Sequence, residues 1–90
     1  RLRTTKNPLF LDTAGWVYFK QGRIADAKNI LKDAQSKFDS PVINYHLGAV
    51  YLAEQDKTSA KFHLEKARST PNNYPGRADA EALLKTIAQE

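Results

Sequence analysis

Apolar and polar residues follow one another along this chain with the spacing of an α-helix. The clearest stretch is residues 77–89, in which apolar positions recur at i, i+3, i+4 and i+7. These positions are Ala80, Leu83, Leu84 and Ile87. Polar residues occupy the opposite side, namely Asp79, Glu81, Lys85 and Gln89. The pattern predicts an amphipathic helix that buries one face and leaves the other in water.

Four further helices are predicted from start and stop signals. Asn7 and Ser40 are good N-cap residues, and each is followed by proline, which is well tolerated at the first helical position. Gly22 is a strong stop signal, whereas Gln55 at the equivalent turn is weaker, and Asp56 is expected to cap the next helix. The predicted helices are residues 9–21, 24–38, 42–55, 57–69 and 77–89. We find no strand pattern, so the predicted fold class is all-α.

The chain matches itself when it is shifted by 33 residues. Nine residues of the first copy fall on identical residues of the second: Pro8, Gly15, Val17, Tyr18, Ala27, Lys28, Leu31, Ala34 and Ser36. A period of roughly 20 to 50 residues predicts an array in which each unit buries its apolar face against the next. We therefore divide the chain into a remnant of a preceding segment (residues 1–7), two repeats (8–40 and 41–74) and a capping helix (75–90).

Small residues recur at fixed places in both copies. They are Gly15, Ala27 and Ala34 in the first copy and Gly48, Ala60 and Ala67 in the second. Two helices of a hairpin can approach closely only where side chains are small, with larger residues filling the groove on either side. A large residue in place of Gly15 or Ala60 is therefore expected to push the two helices apart.

With these residues the chain resembles two tetratricopeptide repeats followed by a capping helix. The family pattern of large, small, aromatic and paired alanine residues is met by Leu11, Ala14, Gly15, Tyr18, Ala27 and Ala34, and again by Leu47, Gly48, Tyr51, Ala60 and Ala67. The chain departs from the pattern at Asn44, which replaces a large residue, and at Lys57, which stands where the first copy has Ile24. The family's late proline is displaced to Pro41 or Pro71.

A closer resemblance is carried by residues 12–18 together with residues 74–77. These stretches are similar to the C-terminal ends of long bacterial tetratricopeptide proteins, some of which are associated with exopolysaccharide and exosortase systems. The chain begins at Arg1 and contains no methionine or signal-peptide pattern, so we expect it to be a piece of a longer protein.

The resemblance implies a binding surface on the concave face, which the first helix of each repeat lines. The implied peptide-binding residues are Leu9, Asp12, Trp16, Phe19, Lys20, Val42, Tyr45, Ala49 and Leu52. The family's carboxylate clamp of lysine, asparagine and arginine is absent, because the corresponding positions hold Asp12 and Trp16. Binding through apolar side chains, with Asp12 and Lys20 at the edge, is therefore expected.

Trp16 is the residue most suggestive of a site. It aligns with Ala49 of the second copy, so the repeat itself does not require an aromatic residue there. Exposed aromatic residues near charges are typical anchors for a protein partner. The alternative is that Trp16 packs against a preceding repeat or against the N-terminal residues.

The amino-acid composition argues against several other classes of function. Arg1, Arg3 and Lys6 hold three of the 14 basic side chains, and the other 11 nearly balance the 10 acidic ones, which disfavours nucleic-acid binding. The chain has no cysteine, and His46 and His63 lack the spacing of metal ligands, so we expect both at the surface or its boundary. We expect no catalytic residues, metal or cofactor, and no apolar run is long enough for membrane insertion.

Three roles remain open at this point. The first is a protein-interaction module that binds a peptide segment of a partner on the concave face. The second is the structural end-cap of a longer solenoid, and the third is self-association as a homodimer, since two repeats fall short of the usual three. The partner and the compartment, whether cytoplasm or periplasm, are not specified by the sequence.

Overall fold

A computed structural model describes residues 7–71 and 73–89 of the chain. Over these residues the chain forms five α-helices and no strand: α1 (Pro8–Lys20), α2 (Ile24–Lys37), α3 (Pro41–Ala53), α4 (Lys57–Arg68) and α5 (Arg77–Ala88). The all-α prediction is confirmed, and each helix end lies within two residues of its expected place. Most of the predicted N-terminal remnant lies outside the described residues. None of the described helices is long and apolar enough to cross a bilayer.

The helices begin where the capping residues predict. The Asn7 side chain accepts hydrogen bonds from the backbone N–H groups of residues 9 and 10, and Ser40 Oγ accepts one from residue 42. Asp56 Oδ1 accepts a hydrogen bond from the backbone N–H of residue 59, at 3.1 Å. These bonds satisfy N–H groups that the first turn of a helix leaves without a partner. The sequence signals therefore act through specific hydrogen bonds.

The chain forms two helical hairpins, α1 with α2 and α3 with α4. In both, the two helices approach each other closely at a glycine of the first helix. An added Cβ at Gly15 would lie 2.6 Å from Leu31 Cγ, and one at Gly48 would lie 2.5 Å from Leu64 Cγ. Leu31 and Leu64 are fully buried, so neither has open space into which to move. Glycine is therefore required at both crossings by packing against a leucine of the partner helix.

The hairpins stack so that all five helices form one continuous array. Helix α2 packs on α3, and α4 packs on α5 in the same way. Helix α1 lies beside α3, and α3 lies beside α5. These three helices therefore share one side of the molecule. This arrangement forms two apolar clusters, one around α2 and α3 and the other around α4 and α5.

Asn44, a departure from the repeat pattern, is the centre of a buried polar network. Its Nδ2 donates hydrogen bonds to Asp39 Oδ1 at 2.7 Å and to the Ser40 carbonyl at 3.1 Å, while its Oδ1 lies 2.9 Å from His63 Nδ1. The bond from Asn44, together with Lys66, lowers the pKa of Asp39, and burial lowers the pKa of His63. Asn44 thus links the turn between the repeats to α4 through hydrogen bonds. A large apolar residue at this position could not form them.

The turn after α3 contains a strained residue that offers a stability test. Gln55 has φ of 65°, a left-handed conformation that its equivalent Gly22 adopts without strain at 83°. We expect Gln55→Gly to raise the free energy of unfolding by about 0.5–1 kcal/mol and the Tm by about 2–5 °C. The matched variant Gln21→Gly, at a residue with φ of −84°, should lower both. Equal effects of the two substitutions in a thermal melt would contradict this explanation.

Candidate functional site

A groove lies between α1, α3 and α5 on the side that the first helices share. Its volume is about 480 Å³. Its walls are mainly apolar and aromatic, and the lining residues are Trp16, Phe19, Lys20, Tyr45, Ala49, Leu52, Ala53, Asp79, Ala82 and Leu83. A volume of this size with few polar groups is typical of sites that bind an apolar side chain or a small molecule.

Trp16 forms the α1 wall of the groove through a set of ring contacts. Its indole stacks on His46, with ring centroids 4.0 Å apart, and on Phe19 at 4.8 Å. Tyr45 packs against it at a tilted 5.6 Å, and Lys20 Nζ lies 5.1 Å from the ring centroid. The indole is only half-buried by these contacts. Trp16 is therefore held in a fixed orientation while part of its ring lines the groove.

The prediction that His46 lies at the surface or boundary is wrong. His46 is 9% exposed, and its Nδ1 lies 2.7 Å from Oδ1 of Asp12, which is also buried. Asp12 was expected at the edge of the groove, but it does not line the groove and is instead buried in a pair with the imidazole on which Trp16 stacks. The pair satisfies two buried polar groups at once and positions the ring on which Trp16 stacks. His63, in contrast, is half-buried.

Tyr45 connects the middle of the groove to α5. Its ring packs so closely on Gly76 that an added Cβ there would lie 2.5 Å from Tyr45 Cε2. The phenol O–H donates to Asp79 Oδ2 at 3.4 Å, and burial, with the nearby carboxylate, raises the pKa of Tyr45. The glycine has φ of 91°, so it also allows the turn that starts α5. Tyr45 is fixed from both sides and forms a rigid floor.

Two side chains of opposite charge, Lys20 and Asp79, line the groove. Lys20 is the last residue of α1, whereas Asp79 lies in the first turn of α5. Lys20 Nζ lies 5.1 Å from the centroid of the Trp16 ring, whereas Asp79 Oδ2 accepts a hydrogen bond from the Tyr45 hydroxyl at 3.4 Å. Both residues are exposed.

The structure brings together six of the nine residues implied by the resemblance. Trp16, Phe19 and Lys20 line the groove from α1, and Tyr45, Ala49 and Leu52 line it from α3. Leu9 and Val42 are not among the lining residues, and neither is Asp12, which is buried in its pair with His46. The sequence analysis missed the α5 wall, formed by Asp79, Ala82 and Leu83, because it treated α5 only as a cap.

A larger depression of about 830 Å³ lies elsewhere, between α4 and α5. Most of its lining residues carry charges of both signs: Lys61, Glu65, Arg68, Glu81 and Lys85. It has no aromatic wall, and alternating exposed charges are typical of a solvated helix surface. No three potential metal ligands come together anywhere in residues 7–71 and 73–89. We therefore assign the candidate site to the smaller, aromatic groove.

The fold and the groove together define a tetratricopeptide-like array of helical hairpins. A comparison with known proteins supports that class. Over 42 residues the chain is 36% identical to a TPR repeat-containing protein of Pseudomonas aeruginosa, a match that covers 47% of this chain and 7% of that protein. No protein-family model and no solved structure matches the chain. The chain is thus similar to a small part of its relative, whose name indicates the repeat type alone.

Proposed function

We propose that this chain is a protein-interaction module whose groove binds a peptide segment of a partner protein. The observation that carries the proposal is the position of Trp16. The repeat has alanine at the equivalent place, Ala49, so an indole there is not needed for the hairpin to fold. It is nonetheless held in place by a buried pair and lines the groove. Tryptophan is among the residues most enriched at the energetic hot spots of protein interfaces.

The groove also defines the chemistry of the segment. An apolar side chain would contact Trp16 and Leu83, over the floor formed by Tyr45. An acidic group towards Lys20 and a basic group towards Asp79 would complement the two exposed charges. The segment would then carry an acidic and a basic group close to the apolar residue.

Ala82 offers a test that leaves the packing of the groove unchanged. It is exposed and lines the groove from α5, whereas Ala78 is exposed on the same helix outside it. The test uses peptides selected on the native chain from a displayed library. We expect Ala82→Arg to weaken the binding of these peptides by roughly tenfold or more and Ala78→Arg to leave it unchanged. Binding is measured by the fluorescence of Trp16, the single tryptophan of the chain. Peptides that bind both variants equally well would contradict the proposal.

A second candidate role is that of the structural end of a longer scaffold. One observation favours it: the outer side of α5 is polar. Among the described residues of α5, the fully exposed side chains are all small or polar, including Glu81, Lys85 and Thr86. A polar outer face is what the terminal element of a stacked array requires for solubility. The two roles are compatible, because the groove and the outer side of α5 are different surfaces.

A further inference from the structure

The lining of the groove contains few groups that can form hydrogen bonds. Six of the ten lining side chains carry no polar atom, and the Tyr45 hydroxyl already donates to Asp79. A peptide in an extended conformation presents an N–H and a C=O group at each residue except proline, and such groups are costly to bury without partners. A helix bonds these groups within itself. The apolar lining therefore favours a helical segment over an extended one.

The α3 wall of the groove has the spacing that helices use to pack against each other. Its residues Tyr45, Ala49 and Leu52 lie at i, i+4 and i+7 and therefore on one side of α3. Tyr45 is buried, whereas Ala49 and Leu52 are partly exposed. We call these three residues the α3 stripe. Because Ala49 is small and stands between two larger side chains, the stripe is recessed in its middle.

Both hairpins of the chain fill a recess of this kind with a leucine from the neighbouring helix. Leu31 of α2 lies against Gly15, and Leu64 of α4 lies against Gly48. A small residue allows the two helices to approach, and a large apolar residue of the partner helix occupies the space. By the same packing rule, a large apolar side chain would fit over Ala49. The α3 stripe extends over about 10 Å, or two helical turns, so two turns of a bound helix would cover it.

We infer, on the basis of the proposed function, that the groove binds an amphipathic helix of the partner protein. This helix has apolar residues at i, i+4 and i+7, and the middle one is large and lies over Ala49. The charges of the groove agree with a helix, since Lys20 of α1 and Asp79 of α5 belong to the helices on either side of α3. An acidic residue on one flank of the bound helix and a basic residue on the other would complement them.

The test uses peptides that are selected on the native chain from a displayed library without tryptophan. Only peptides that Ala82→Arg weakens are kept, because these bind in the groove. Alanine scanning identifies positions at which the peptide side chain is not needed, and proline is then placed at one such position in the middle of the segment. Proline breaks a helix, whereas alanine at the same position does not. We expect the proline peptide to bind roughly 30-fold or more weakly than the alanine peptide, as measured by the fluorescence of Trp16.

Ala49→Leu tests the place of the bound helix on the protein. The larger side chain fills the recess of the α3 stripe, so we expect the same peptides to bind roughly tenfold or more weakly. The matched variant Ala78→Leu adds the same atoms at an exposed position of α5 outside the groove and should leave the affinity unchanged. Thermal melts show that both variants are folded. Circular dichroism of the native complex should show more helix than the sum of its free components.

Two results would overturn this inference and leave the proposed function standing. The first is a set of groove-bound peptides that tolerate proline as well as alanine and gain no helix on binding, because the bound segment is then extended. The second is a folded Ala49→Leu protein that binds the peptides with native affinity. If Ala82→Arg weakens none of the selected peptides, the proposed function fails, and the helical occupant fails with it.

Discussion

Replacement of Gly48 by leucine is expected to lower the free energy of unfolding by about 3 kcal/mol or more. The first carbon of the new side chain would already lie 2.5 Å from Leu64 Cγ and 3.3 Å from the Ala60 carbonyl oxygen. Leu64 is fully buried between α3 and α5, and the carbonyl belongs to a helix backbone, so neither can move cheaply. Thermal and denaturant unfolding followed by circular dichroism would measure the loss.

Two further variants show whether the loss comes from this crossing. Ala53→Leu places the same leucine side chain at an exposed position of the same helix, adding three of the four heavy atoms that Gly48→Leu adds, and should leave the Tm nearly unchanged. Gly15→Leu should cost less than Gly48→Leu, since only the Leu31 side chain, and no backbone atom, lies closest to its first carbon. If Gly48→Leu melts within a degree or two of the native chain, the close packing of the hairpin does not hold the helices together.

Trp16→Ala is expected to weaken peptide binding by about 30-fold, which corresponds to about 2 kcal/mol. The substitution removes the α1 wall of the groove and the ring that Lys20 and Tyr45 contact. Because the indole also stacks on buried His46, the variant's Tm must be measured alongside. Isothermal titration with a selected peptide provides the affinity, since this variant has no tryptophan fluorescence.

Phe10→Ala is the matched control for Trp16→Ala. It removes an aromatic ring from the same helix, but from a side that does not line the groove. Peptide affinity should therefore be unchanged in Phe10→Ala, and Trp16→Phe should retain part of it. A folded Trp16→Ala protein that binds the peptide as tightly as the native chain would remove Trp16 from the site.

Local features of the fold could be predicted because their causes are close in sequence. The caps at Asn7, Ser40 and Asp56 act on N–H groups two or three residues away, and the stop at Gly22 acts through its own φ. The 33-residue period then predicts which helices are equivalent, and equivalent helices pack alike. Helix positions and the all-α class therefore follow from the sequence to within two residues at each helix end.

The site was harder to predict because its contacts join different repeats. Asp12 pairs with His46, and Tyr45 bonds to Asp79; both pairs are 34 residues apart. This separation is one residue more than the repeat period. Side chains on α1 and α3, and on α3 and α5, therefore contact each other between residues i and i+34. The sequence contains that signal, but only the packing of α1, α3 and α5 shows which offset brings two side chains together. The α5 wall was missed for the same reason.

Exposure on α1 illustrates a second limit of the sequence pattern. Phe10, Trp16 and Val17 are all apolar, and their spacing alone does not say which of them faces a neighbouring helix. The structure separates them: Trp16 lines the groove, whereas Phe10 and Val17 are exposed and do not line it. The spacing of apolar residues along α1 therefore does not distinguish the side that lines the groove from the other exposed side of the helix.

The most direct test of the proposed function is a nuclear magnetic resonance titration of the labelled native chain with a selected peptide. We predict that the largest changes affect the indole N–H of Trp16 and the backbone amides of Ala49, Leu52 and Leu83, which line the groove from three helices. The amides of Phe10 and Phe62, on other surfaces, should not change. Changes centred on Phe10, or spread evenly over the chain, would contradict binding in the groove.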